Sequence, residues 1–126
     1  DQLKDAAQFH LDLEINLLSN GYCLKDASAK NIIFYKNRPV FIDILSLKKY
    51  EDGNYWLGQM QFYQEFLNPL ILKSYLSVDY NNWYKENFYG IFTKDLNRLL
   101  NIFHKFKPSV FLHVTLPSFL KNKATI

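Results

Sequence analysis

Cysteine is almost missing from this chain: Cys23 is alone among 126 residues. One thiol closes no internal disulfide. That excludes a disulfide-stapled secreted mini-domain and fits a reducing cytoplasm. Long apolar runs are missing as well. None approaches the ~18 residues a membrane helix needs. The charged opening from Asp1 to Asp5 is followed by no apolar signal core. No membrane partner is expected. Histidines are few and far apart: His10, His104 and His113 have no i, i+4 spacing and no cysteine pair to join them, so they read as structural or surface groups. Charge of one sign is scarce, since 15 basic and 12 acidic residues leave a net charge of +3. Lys36, Lys73, Lys85 and Lys94 stand singly, and this excess does not by itself make a nucleic-acid surface. No internal repeat or low-complexity linker divides the chain.

What is present is apolar and aromatic. Hydrophobic residues make up 48% and aromatic residues 17%, enough for a real core, and they exclude a disordered chain. The length suits one domain, residues 1–126. The first residue is not Met, and the sequence enters what reads as a helix body at once. A fragment of a longer protein is expected.

Residues 2–19 carry two periodicities. Leu3, Ala6, Ala7, Leu11 and Leu18 follow a helix, while Phe9, Leu11, Leu13, Ile15 and Leu17 alternate as in a strand. Length and the Ala, Leu, Gln and Glu content decide for a helix, which Asn20-Gly21 ends. Two β-like pieces follow, 31–35 (NIIFY) and 39–45 (PVFIDIL), joined by the polar KNR as a hairpin. Residues 50–54 (YEDGN) read as a loop. From Trp56 onward the pattern is helical. Asn68-Pro69 interrupts it; Asp79 and Gly90 bound a further segment; Thr93 caps a helix over 93–106, which Pro108 ends. The fold class is therefore α+β, mostly helical, with a small β-hairpin.

Three polar residues stand out between these apolar runs. Asp26 and Asn31 are separated by four residues in DASAKN, and Asp43 follows twelve residues after Asn31. Phosphoryl transfer uses such a set. One carboxylate takes the acceptor's proton, and an amide oxygen with a second carboxylate holds Mg²⁺ against phosphates. Asp43 in VFIDIL would be costly to bury unpaired. Taken singly, Asp26 also fits a turn former, Asn31 a loop residue bonded to its own backbone, and Asp43 a strand-end acid facing water. Lys25 stands beside Asp26, where it could steady a phosphate. Cys23 reads as a small buried hydrophobe. Tyr55, Trp56, Phe62, Tyr63 and Phe66 read as core packing rather than a stacking platform.

LKDASAKN, followed by Asp43 in VFID, resembles the catalytic core of protein-kinase-like phosphotransferases, in the style of the aminoglycoside phosphotransferase and choline kinase branch. The resemblance covers about 25 residues closely and the flanking helices loosely. It implies a kinase-like C-terminal lobe, with Asp26 as catalytic base, Asn31 as metal ligand and Asp43 as principal metal ligand. ATP, Mg²⁺ and a small hydroxylated acceptor or sugar are implied with it. Leu24 stands where that pattern has His, and no Gly follows Asp43. The Gly-rich phosphate loop and the strand lysine are absent, so an N-terminal lobe in cis is implied, and this segment alone is expected to be inactive. The same residues, with QFYQEFLNPLIL, are also similar to uncharacterised bacterial proteins labelled SAM-dependent methyltransferases or nodulation-related proteins. No Gly-rich loop after a strand is present here to bind SAM, so that cofactor would belong to another region.

Two rival readings stay open. One is a kinase-like module without catalysis, a binding domain beside a methyltransferase; Leu24 favours it. The other is a nucleic-acid-binding domain, which requires a continuous basic face and no acidic cluster.

Overall fold

A buried stripe on one helix organises the first part of the molecule. In the computed structural model, which describes residues 1–81, 84 and 89–123, α1 spans Gln2–Ser19. Asp1 caps it by accepting from Leu3 N at 3.2 Å, which satisfies a donor the first turn leaves open. Ala6, Ala7, His10 and Glu14 form its buried face, one helical turn apart in sequence. Gly21, at φ +79°, lets the chain leave the helix where a side chain would be strained. Helix therefore prevails over the alternating pattern in residues 2–19, as propensity and length require.

Two compact units divide the chain, Asp1–Phe62 and Tyr63–Ile126. The class is α+β and mostly helical, with two small antiparallel sheets. In the first unit β1 (Tyr22–Leu24) pairs with β4 (Leu47–Lys49). Between them β2 (Ile32–Tyr35) and β3 (Arg38–Phe41) form the hairpin. Its turn is Lys36-Asn37, both at positive φ, 46° and 63°. Two such residues match the right-handed twist of the strands they join. α2 (Gln59–Phe62) closes the unit.

The expected second strand, 39–45, is too long. Regular pairing stops at Phe41, and Ile44–Ser46 form a 3₁₀ turn. Asp43 therefore lies beyond the strand, as the cap of that turn, where its side chain accepts from Leu45 N. Its apolar neighbours are not buried either: Ile44 is 76% and Leu45 83% exposed.

The second unit is helical. A π-helical turn, Tyr63–Leu67, leads into α3 (Asn68–Leu76). Another, Phe111–Thr115, leads into α7 (Leu116–Lys123). Each stands just before a proline, Pro69 or Pro117. Proline has no N–H and its ring crowds the carbonyl four residues back, so a widened turn relieves both demands. Thr93–Leu99 (α4) and Ile102–Lys105 (α5) replace the single helix expected from 93 to 106. The break has a cause: the Asn101 side chain accepts from His104 N at 2.9 Å and starts a new helix. Thr93 is the first residue of α4 and Phe92 its cap. Pro108 opens α6 (Pro108–Val110), a first-turn position that needs no N–H. Ile71, Leu72, Ile91, Leu96, Leu100, Val110 and Val114 form the core. The expected helix between Asp79 and Gly90 falls partly on residues 82, 83 and 85–88, outside the described residues.

Among the described residues, no helix is long and apolar enough to cross a membrane.

Candidate functional site

The hairpin sets the first part of the site. Beyond the last pair of the ladder, Ile32↔Phe41, one further backbone bond follows: Ile42 N donates to Asn31 O at 2.9 Å. Asp43 comes next, so its side chain falls beside that of Asn31. The Asn31 amide donates to Asp43 Oδ2 at 3.3 Å. The twelve-residue spacing is thus a consequence of hairpin length, and the two side chains expected to share a cation are brought together.

Asp43 is half-buried and well supplied with donors. Leu45 N donates to Oδ1 at 3.2 Å. The Ser46 hydroxyl makes a short hydrogen bond to Oδ2. Ser46 O in turn accepts from Lys25 N at 2.9 Å, which ties the Asp43 turn to the segment before Asp26.

Asp26 sits in a loop of its own making. Its Oδ1 accepts from Ser28 N at 2.8 Å, a local turn that Asp forms readily. Ser28 then caps the 3₁₀ turn Ala29–Asn31, its hydroxyl accepting from Lys30 N at 3.3 Å. Asn31 N donates to Ser28 O at 3.1 Å. Asp26, Ser28 and Asn31 therefore follow one another through three successive local bonds. Asp26 shares no hydrogen bond with Asn31 or Asp43 among the described residues. Lys25 is exposed, and its ammonium joins no ion pair among the described residues.

Behind Asp26 lies an aromatic box. His10, fully buried, packs against Phe41, Trp56 and Phe62 with ring centroids 6.2, 6.1 and 5.9 Å away. Burial pushes its imidazole below the ordinary value; its own backbone hydrogen bond and the charge of Asp26 oppose this. Glu14, also buried, accepts from Leu24 N at 2.9 Å. Burial pushes its carboxyl up, and the Leu24 N–H holds it back. Gly58 lies against Ala27: a Cβ there would stand 2.7 Å from Ala27 Cβ and 2.9 Å from Trp56 Nε1.

Sequence reasoning missed Glu14, Gln61 and Gly58. Polar residues on a helix look alike in sequence, and the only available signal was an acid on the same face as Ala6, Ala7 and His10. Cys23 is buried, as expected of a small hydrophobe. Of the five aromatics read as core, Phe62 and Phe66 are buried, but Tyr55 is 90% exposed and packs nothing away.

By donor type, the Asn31 amide oxygen and the Asp43 carboxylate suit a hard cation, but here Asn31 turns its amide nitrogen to Asp43, so joint ligation requires the amide to rotate. Among the described residues no group of three or more His, Cys, Asp or Glu is arranged to hold a metal ion.

No family model matches the chain, and no solved structure matches it. It is 44% identical over 123 residues, 98% of its own length, to Nodulation protein NoeA of Rhizobium meliloti (strain 1021). The chain spans about a quarter of that relative, 26% of its length.

Proposed function

We propose that this chain is the C-terminal lobe of a kinase-like phosphotransferase that transfers a phosphoryl group from Mg-ATP to a small hydroxylated molecule or sugar. The hydrogen bond between Asn31 and Asp43 carries this reading. It pairs the two residues assigned to the metal, at the end of the loop that holds Asp26. Asp43 and Asn31 would hold Mg²⁺, which when bound neutralises charge on the phosphates.

In this reading Asp26 acts on the acceptor. Ser28 N engages Oδ1 and fixes the carboxylate's orientation, leaving Oδ2 to accept a hydroxyl proton. The acceptor's O–P bond forms as the bond to ADP breaks, and its proton passes to Asp26. Lys25 is exposed beside it and serves phosphate binding. The nucleotide and the remaining lobe come from outside these residues.

ATP consumption by the full-length protein, against sugars, aminoglycosides and amino alcohols, tests the reading. Asp26→Ala should lower turnover by roughly 10²-fold, the scale of general base catalysis, with nucleotide affinity unchanged. A wild-type protein that binds Mg-ATP and transfers to nothing would remove catalysis.

A second reading is favoured by Leu24. It is fully buried where the resemblance calls for His, and this supports a non-catalytic binding module working beside a methyltransferase region that would bind SAM. In that reading Asp26→Ala leaves the protein's biological role intact.

A further inference from the structure

Two backbone N–H groups on either side of Lys25-Asp26 are captured by side chains from distant positions. Leu24 N donates to Glu14 Oε2 at 2.9 Å, and Ala27 N donates to Gln61 Oε1 at 2.9 Å. Glu14 comes from the middle of α1 and Gln61 from α2. Neither bond belongs to a helix or a sheet ladder, and neither acceptor was needed to complete one.

We propose that Glu14 and Gln61 are positioning residues for Asp26, a two-point clamp that fixes the backbone from which its carboxylate projects. The inference rests on the reading of Asp26 as the residue that meets the acceptor.

Four observations support it. The bonds bracket Asp26 closely, two residues before it and one after. The intervening Asp26 turn, Oδ1 to Ser28 N, closes only if the backbone of Ala27 and Ser28 keeps its course. Glu14 is buried, so its bond meets little competition from water and the N–H would be costly to strand. The Gly58 contact with Ala27 adds a steric stop on the same side as Gln61. Loops that carry a reacting group need such support, because a displacement of about 1 Å can cost on the order of 10²-fold in rate.

Hydrogen exchange and steady-state kinetics on the full-length protein test the clamp. Gln61→Met and Glu14→Met remove each acceptor at similar size. Exchange at the amides of residues 24–28 should speed up about tenfold, the scale of one hydrogen bond, with the remaining amides of the first unit unchanged. Turnover should fall by about the same factor while nucleotide affinity holds. Glu14→Gln keeps an acceptor and should restore both. Unchanged exchange over residues 24–28, or a uniform acceleration across the unit, would overturn the proposal. If exchange changes only in the loop and the wild type transfers to nothing, the clamp stands and the phosphotransferase reading is what has failed.

Discussion

The Asn31 side-chain amide reaches Asp43 Oδ2 at 3.3 Å, across twelve residues of chain. The same carboxylate caps the turn that follows it through Leu45 N. One side chain thus serves the fold and, in the proposed function, the cation. These two duties can be separated by substitution.

Asp43→Ala removes the acceptor for Asn31, Leu45 N and Ser46 together, and should destabilise the protein by about 1–2 kcal/mol. Asp43→Asn retains an oxygen for the cap and should stay folded, but lose the gain in thermal stability that the proposed function expects Mg²⁺ with ATP to give the full-length wild type. Urea denaturation and thermal shift measure the two effects. An equal ligand-induced shift in wild type and Asp43→Asn would refute the metal role.

Gly58→Ala places a methyl 2.7 Å from Ala27 Cβ and 2.9 Å from Trp56 Nε1. The expected cost is about 1–3 kcal/mol from overpacking, with Trp56 fluorescence altered. A Gly58→Ala protein of wild-type stability and emission would show that the contact yields freely.

Gly90 has φ +70°, and a Cβ there would collide with the backbone carbonyl oxygen of Gln64. Backbone, unlike the end of a side chain, cannot swing aside. Ile91 N also donates to that oxygen at 2.8 Å. Gly90→Ala should cost about 3 kcal/mol or more, read from the shift in urea midpoint. Little or no shift would contradict the close approach.

Two buried groups on α1 give opposite pH slopes. His10 is held below its ordinary 6.5 by burial. Its contribution is complete above pH 6.5 and is lost as pH falls through the folded value. Glu14 is held above its ordinary 4.5 by burial. Its contribution is complete below pH 4.5 and is lost as pH rises through the folded value. Stability measured by urea from pH 4 to 8 should therefore lose its decline below pH 6.5 in His10→Phe, and lose the decline above pH 4.5 in Glu14→Gln. Wild-type profiles in both variants would count against these assignments.

The Lys36-Asn37 turn holds two non-glycine residues at positive φ. Asn37→Gly should stabilise the hairpin by about 0.5–1 kcal/mol, since glycine meets no Cβ penalty there. A loss of stability would mean that the Asn37 side chain contributes contacts that outweigh its strain.

Local signals made much of the first unit legible. Asn20-Gly21 marked the end of α1, and β-branched residues around a polar turn marked the hairpin. Asp43 was placed near Asn31 because a hairpin's register carries a fixed spacing forward. Its position beyond the strand is not legible, since Ile42, Ile44 and Leu45 read as an apolar strand run though all three are exposed. The β1–β4 pair had no signal: each strand has three residues, and Leu47-Lys48-Lys49 has neither a clear alternation nor a β-rich composition. The break before Asn101 is hidden by the helical spacing of Leu96, Leu99, Leu100 and Phe103, although Asn is a strong cap. For Glu14 the sequence offers only its place on the face of Ala6, Ala7 and His10, and for Gln61 nothing, because a Glu or Gln on a helix shows nothing of the backbone it will hold.

Ile44 and Leu45, both beside Asp43, remain in contact with solvent. Any surface that covers them also removes water, and with it dielectric screening, from the neighbouring carboxylate. Charge attraction at Asp43 then strengthens, because the same pair of charges interacts more strongly at lower effective dielectric constant. Desolvation of the two charges opposes this gain, and thermodynamic reciprocity links the two events: by whatever factor a covering surface changes cation affinity at Asp43, the cation changes the hold of that surface. If Asp43 holds a cation, as the proposed function has it, contact over Ile44 and Leu45 and affinity for that cation are two readings of one coupling free energy at this turn.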